Sequence, residues 1–454
     1  MRLLLALAVT VFIGWNILYL VFAGRRPLGL IESACVSYGL GVGFISLEML
    51  LFYFLKAPFN LFCILAPWPA FVVVNLYIYL NRKAPPEAPR GARSGKFGPL
   101  AAFLALGIGF EVAYAFFRAL IKPIESYDAI AIYAIKAKIL YMAKAFPADF
   151  FYSLVRPLAH PDYPLNIPLF ETFIYLFLGN LNDQLVKIIF PLYFVAVLAV
   201  FYFAVRRFAT RRYALLFTFI LAGVGQFNAF ATNAYLDLPL GFYCFASAVF
   251  LFLWFEDTKR TGFLLLSAVM AGLAGWTKNE GLMYCAINMV LLGLFIIFDR
   301  KKVSGKGLMR FALYALAISA VVLPWAYVKK SAHIANSEID LANINPFNLA
   351  RQSRKIWPIL YEFQKEFFNF KKWNILWPAA FTVLIFKFKE AFGPVQRYIS
   401  LSIMLAVAGY ALFYMISYVD AAFFTGKTWS RFLIHFLPIA VYWLARILKE
   451  DIPL

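Results

Sequence analysis

The sequence predicts an all-α fold, a polytopic helical membrane protein, and three observations carry that reading. Of 454 residues, 63% are apolar and only 15% charged, where soluble domains run near ~45–50% and ~25%. The mean hydropathy is +0.76. Apolar runs of roughly 20 residues recur along nearly the whole chain, the length a helix needs to cross about 30 Å of hydrocarbon; barrel strands would show alternating segments of about 10 residues. A soluble globular protein and a disordered or collagen-like chain are excluded.

Fourteen apolar segments follow in order: 1–23, 28–55, 59–80, 99–121, 164–181, 185–205, 213–231, 235–255, 262–276, 282–298, 308–328, 373–386, 399–418 and 432–447. The first could pass for a leader peptide, but its charges, Arg25 and Arg26, follow the apolar stretch and no small-x-small site precedes them. It reads as a retained span. Basic residues crowd five short turns: the Pro-rich 82–96, 206–212 with four Arg, 256–260, 300–306 and 387–397. Short loops rich in Lys and Arg stay in the cytoplasm, which places the N-terminus outside, the C-terminus inside and requires an odd number of crossings. The parity conflict with fourteen falls between residues 164 and 205. The segment that begins with Pro164 and Pro168 and runs into the polar 179–184 stretch is expected not to cross, leaving about 13 transmembrane helices. The chain divides into a three-span N-terminal extension (1–80), a cytoplasmic basic linker (81–98) and a transmembrane core (99–448). Two long polar loops, 122–162 and 329–372, are expected on the extracytoplasmic side.

The 43 Lys and Arg against 23 Asp and Glu give +20, which in a soluble protein would point to nucleic acid. Here the surplus sits in the short turns, and no basic polar domain could present a groove-reading element, so nucleic acid is not an expected partner. Cys35, Cys63, Cys244 and Cys285 lie inside apolar runs, with no disulfide or zinc spacing. The 329–372 loop holds eight basic and four acidic residues and the aromatics Trp357, Tyr361, Phe367 and Phe368. It reads as an interfacial flap near an anionic ligand. No internal repeat is visible, which disfavours a transporter built from inverted repeats.

Ionisable residues at a membrane boundary are costly, and each needs a reason. Glu125-Ser126-Tyr127-Asp128 precedes an expected helix over 129–145 that carries Lys136 and Lys138. Ser126 can cap it, and Asp128 then lies in the first turn, where the dipole keeps a carboxylate ionised. A capping acid is the bland alternative, worth about 0.3–1 kcal/mol. His160-Pro161-Asp162-Tyr163-Pro164 closes the same loop. Tyr235-Leu236-Asp237-Leu238-Pro239 puts an acid at the outer end of a span, and Thr277-Lys278-Asn279-Glu280-Gly281 makes a polar hairpin turn. Arg431 opens the last span with His435 one turn further on the same face. The bland readings are a structural histidine, a solvated turn and an interfacial arginine anchor. Charge counting nevertheless sends all these groups to one side of the membrane, and a single cluster of carboxylates and cations at headgroup depth suits chemistry on a lipid phosphate.

These motifs resemble those of the GT-C superfamily of integral-membrane glycosyltransferases. They are similar to the dolichyl-phosphate-mannose protein mannosyltransferases (glycosyltransferase family 39) and the bacterial aminoarabinose transferases of lipid A. The likeness runs over roughly residues 99–446 and lies in Tyr127-Asp128 with Lys136 and Lys138, His160 to Pro164, Tyr235 to Pro239, Thr277 to Gly281 and Ser430-Arg431-Phe432-Leu433. Ala129 stands where several relatives carry a second acid after the first. The resemblance implies a sugar on a polyprenyl phosphate as donor, a hydroxyl on a lipid, glycan or protein as acceptor, and transfer outside the cytoplasm; no resident cofactor is expected, and Ala129 in place of the second acid puts in doubt a metal at the loop. Asp128 is then the expected catalytic acid group, acting as base. Arg431, Lys278 and His435 are the expected phosphate-binding groups, with Lys136, Lys138, His160, Tyr163, Asp237, Asn279 and Glu280 supporting them. A lipid or solute transporter and a non-catalytic scaffold are the competing classes.

Overall fold

All fourteen apolar segments are helical in the computed structural model, which describes residues 1–81, 98–152, 160–303, 305–336, 344–452 and 454. The basic linker over 82–96 lies outside the described residues. In chain order the main helices are α1 (Arg2–Val21), α2 (Leu30–Leu55), α3 (Leu61–Asn81) and α4 (Pro99–Leu120). Then come α5 (Ile135–Ala143), α6 (Asn166–Leu178), α7 (Val186–Arg206), α8 (Arg211–Ala222) and α9 (Gly225–Phe230). The second half holds α10 (Asp237–Glu256), α11 (Thr261–Thr277), α12 (Gly281–Phe298), α13 (Gly307–Ser331), α14 (Ile356–Phe367), α15 (Leu376–Phe386), α16 (Gln396–Ile416) and α17 (Ala421–Ile447). The chain is thus an all-α, multi-pass membrane protein. Among the described residues nine helices are long and apolar enough to cross a bilayer, with α6, α11 and α15 as shorter apolar helices.

Two segments are interrupted, and the first, 59–80, turns at Ala66-Pro67 between the helical Leu61–Leu65 and Trp68–Asn81. The apolar run 213–231 is not a single helix: α8 stops at Ala222 and α9 restarts at Gly225. Gly223 and Gly225 flank Val224 at the break, and glycine is where helix propagation is weakest.

Burial sorts the helices. α10 is apolar on every face and buried along its length, as a helix without a polar side must be. α3 and α4 bury only 17% of their membrane-length windows and turn side chains such as Phe103, Leu106 and Phe110 outward, the pattern of lipid-facing spans. α2 belongs to the interior: Tyr38 Oη donates to the Ile189 carbonyl at 3.1 Å, and a Cβ on Gly39 would meet the Phe242 ring.

α10 and α17 run parallel and fix the two ends of the bundle. Asp237 and Arg431 meet at one end, and at the other Arg446 Nη1 donates to Glu256 Oε1 at 2.6 Å. Twenty residues of α10 at about 1.5 Å per residue separate these ends by roughly 30 Å. A Cβ on Gly241 would stand 2.9 Å from the Ile434 carbonyl, so glycine is what lets the two backbones approach here. The four basic turns among the described residues gather at the Glu256 end. Arg207 pairs with Glu32 at 2.8 Å, Thr258 donates to the Lys302 carbonyl at 2.6 Å, and Arg397 pairs with Asp299 at 2.6 Å.

Within the 329–372 loop, α14 is seated on α17. The rings of Phe363 and Trp429 stack at 3.8 Å and 10°, while Trp357 and Tyr361 on the other face remain exposed. This contact lies two residues from Arg431.

Candidate functional site

The residues that the motifs single out converge at the Asp237 end of α10. Each is delivered by a local feature. Asn233 Oδ1 accepts from the Tyr235 N–H at 3.0 Å, and Ala234 takes φ 61, so the chain turns sharply into α10 and leaves Asp237 in its first turn. A non-glycine residue in that region carries strain of order 1 kcal/mol, which often marks a functional turn. Between α11 and α12, a Cβ on Gly281 would stand 2.0 Å from the Ala274 carbonyl, so only glycine permits the tight hairpin that carries Lys278, Asn279 and Glu280. Asp128 precedes a π-helical segment, Ala129–Ala134, that runs directly into α5. Ser126 stands at the helix entry, where its carbonyl accepts from the Ile130 N–H at 3.0 Å. π-segments are rare and recur at functional sites.

Asp237 is the hub. Its side chain is 0% exposed, and its Oδ1 lies 3.0 Å from Lys278 Nζ and 3.0 Å from His435 Nε2. Its Oδ2 accepts from Arg431 Nε and Nη2, both at 3.2 Å. Arg431 Nη1 donates to Asp128 Oδ2 at 2.6 Å, and its guanidinium lies over the Tyr235 ring at 4.6 Å. Lys278 Nζ also reaches Glu280 Oε1 at 2.7 Å. Buried charges need this density of partners, because desolvation otherwise exceeds the pair attraction. Burial alone would lower the Lys278 ammonium, but Asp237 and Glu280 outweigh it and hold it above the ordinary lysine range.

A second tier surrounds the hub. Lys136 Nζ donates to the His160 carbonyl at 2.7 Å, and burial lowers its ammonium to about 7 despite the nearby Asp162. Burial also lowers the His160 imidazole, with Asp162 opposing. The His160 and Tyr163 rings stand 4.8 Å apart, Tyr163 stacks in turn on Tyr133, and Asn279 Nδ2 donates to Asp162 Oδ2 at 3.2 Å. Lys138 goes elsewhere. Two residues along a helix turn a side chain by roughly 200°, and Lys138 pairs with Asp183, which Tyr175 Oη also reaches at 2.9 Å.

Sequence reasoning gave Asp237 a supporting place, whereas the structure centres the cluster on it. Two residues it passed over are Tyr410, whose Oη lies 2.5 Å from His435 Nδ1, and Tyr133, whose buried Oη faces the cluster with no hydrogen bond to it. Tyr410 sits in the middle of an apolar span, and only its spatial neighbours reveal it. Among the described residues no three His, Cys, Asp or Glu side chains group as metal ligands would.

Fold and site together define the class: an integral, multi-pass helical membrane protein with a dense buried ion cluster at one end of its bundle. Residues 160–325 match the family described as dolichyl-phosphate-mannose-protein mannosyltransferase. The fold matches that of ArnT from Cupriavidus metallidurans, solved bound to undecaprenyl phosphate, with a TM-score of 0.53 at 16% identity over 78% of this chain. The match covers 61% of that protein's length. No curated protein sequence matches. The likeness expected from the motifs is therefore met by sequence over 160–325, which includes His160, Tyr163, Asp237, Lys278, Asn279 and Glu280, and by fold over most of the chain. Asp128, Lys136, Lys138, Arg431 and His435 lie outside the sequence match.

Proposed function

We propose that this protein is an inverting glycosyltransferase that moves a sugar from a polyprenyl-phosphate donor to a hydroxyl acceptor on the extracytoplasmic side of the membrane, through a chain that crosses it thirteen times. The observation that carries the reading is the division of one guanidinium between two carboxylates. Arg431 offers Nε and Nη2 to Asp237, which is fully buried and fixed, and Nη1 to Asp128, which is a quarter exposed and lies on the loop helix. A donor phosphate entering this end competes with Asp128 for Nη1, since arginine binds phosphate oxygens in the same forked way. Asp128, released from Arg431, accepts the proton of the acceptor hydroxyl as its oxygen attacks the anomeric carbon. The bond from that carbon to the phosphate oxygen breaks on the opposite face, and the phosphate leaves with the electron pair. Arg431 meets its growing charge, with the Lys278 cation behind it and His435 holding Asp237 in place. The undecaprenyl phosphate bound to ArnT supports a donor of this chemistry.

The test supplies purified protein in proteoliposomes with a radiolabelled polyprenyl-phosphate sugar and a pool of hydroxyl acceptors. Labelled product with inverted anomeric configuration supports transfer. Movement of the donor between leaflets without product would instead establish a transporter, and neither outcome would leave a scaffold.

A further inference from the structure

At the end of the bundle opposite Asp237, the turns leading into α2, α8 and α11 enclose a cavity of about 620 Å³. A second cavity of about 260 Å³ adjoins it and shares Pro27, Arg260 and Phe263. Together their walls carry Arg25, Arg206, Arg207, Arg211, Lys259 and Arg260 against three carboxylates, Glu32, Glu256 and Asp257. Each carboxylate already has an arginine: Glu32 pairs with Arg207 at 2.8 Å, Asp257 with Arg260 at 3.1 Å, and Glu256 with Arg446, which is outside the walls, at 2.6 Å. Among the described lining residues, cations thus outnumber carboxylates six to three. Phe203, Leu253 and Phe263 line the same space, so cations and apolar surface face one volume.

The cavities lie where α7 and α10 end, and those helices span the membrane, which sets them at headgroup depth. Ligand pockets commonly measure about 300–1,000 Å³, and basic pockets between helix ends suit phosphate headgroups. An occupant with a negative head and an apolar body fits both kinds of wall. We propose that this cavity binds the phosphate headgroup of an anionic phospholipid in the leaflet opposite the Asp128–Arg431 cluster. The site is separate from the transfer chemistry and does not rest on it. It grips the Glu256 end of α10, the helix whose other end holds Asp237.

The test uses full-length protein in detergent with phosphatidylglycerol titrated against phosphatidylcholine, read as the thermal unfolding midpoint. A saturable rise with phosphatidylglycerol and none with phosphatidylcholine is expected. The double variant Arg211→Gln/Arg260→Gln should raise the half-saturating phosphatidylglycerol concentration about tenfold or more. Asp257→Asn adds to the positive surplus and should lower it severalfold, which keeps the proposal testable should the double variant not fold. Equal responses to the two lipids, or half-saturation unmoved by either variant, would overturn the site. The same rise from inorganic phosphate alone would overturn the lipid as its occupant.

Discussion

Arg431 Nη1 donates to Asp128 Oδ2 at 2.6 Å, although 303 positions separate the two residues in the chain. The contact ties the first polar loop to the last span, and it bears on two meanings of Arg431. An interfacial anchor would point its guanidinium toward headgroups. This one is only 17% exposed and is spent on Asp128, Asp237 and the Tyr235 ring.

Arg431→Ala is therefore expected to weaken donor binding and slow transfer. Arg431→Lys should recover only part, since an ammonium cannot serve Asp237 and a phosphate in forked geometry. Donor affinity by equilibrium binding and turnover on the same preparations check this. Unchanged values for Arg431→Ala would return the residue to the role of anchor.

Asp237 has a different signature because it meets the Lys278 and Arg431 cations and the His435 ring from a fully buried position. Asp237→Asn keeps the shape but leaves Arg431 and Lys278 short of a counter-charge. Breaking a buried pair in this way costs about 3–5 kcal/mol. A large fall in the unfolding midpoint is expected together with lost turnover, and a midpoint within a degree of wild type would refute the hub assignment.

Lys136 predicts a pH dependence. Burial lowers its ammonium to about 7 in the fold, against roughly 10.4 in an unfolded chain. Between those values the unfolded chain holds the extra proton, so stability rises with pH across that window; below about 7 both states are charged and the slope vanishes. Thermal scans between pH 6 and 10 should show the rise in wild type and lose most of it in Lys136→Met. Parallel curves for the two proteins would count against a buried, low Lys136.

Sidedness follows from the short basic turns. After replacement of the four native cysteines, a cysteine at Lys122 should react with an impermeant reagent added outside intact cells, and one at Lys259 only after permeabilisation. The structure already sets their regions at opposite ends of the bundle. Labelling of both from the same side would overturn the thirteen-crossing arrangement.

Much of this architecture is written in composition. Length and apolarity specify where the helices fall, so each of the fourteen segments is helical, whereas the break at Val224 is not legible because an apolar run carries no signal of where its helix restarts. Motif polarity also marked the site, because a charge at a span end is too costly to be incidental. What the sequence could not convey is pairing. Lys136 and Lys138 look equivalent as text, yet helix geometry sends one to the His160 carbonyl and the other to Asp183. Tyr410 carries no local signal at all, since a tyrosine in an apolar span is ordinary until His435 is found beside it. Asp237 reads as one acid among several because its three partners come from the α11–α12 turn and from α17, distant in sequence.

Asp128 is the base of the proposed mechanism, and the structure sharpens its test. A capping acid would accept a hydrogen bond from a backbone N–H of its own helix, but Asp128 makes no such bond, and its carboxylate reaches Arg431 instead. The carboxylate is thus spent on Arg431 rather than on a backbone N–H, and two readings of the pair are to be separated: a base held until donor arrives, or a prop that positions Arg431. Asp128→Asn retains size and most hydrogen-bonding capacity but cannot take the acceptor's proton, so turnover should fall by about 10²–10⁴. Because Asp128 and the donor phosphate compete for the same Nη1, loss of its charge should leave donor affinity equal to or tighter than wild type. A prop predicts the reverse, with a misplaced Arg431 that weakens donor binding in step with turnover. Asp128→Glu should recover little under the base reading, since one extra methylene shifts the carboxylate from the attacking hydroxyl. Donor dissociation constant and single-turnover rate measured on Asp128→Asn decide the matter. A slow variant with wild-type or tighter donor binding establishes the base, parallel losses establish the prop, and near-normal turnover would remove Asp128 from the chemistry.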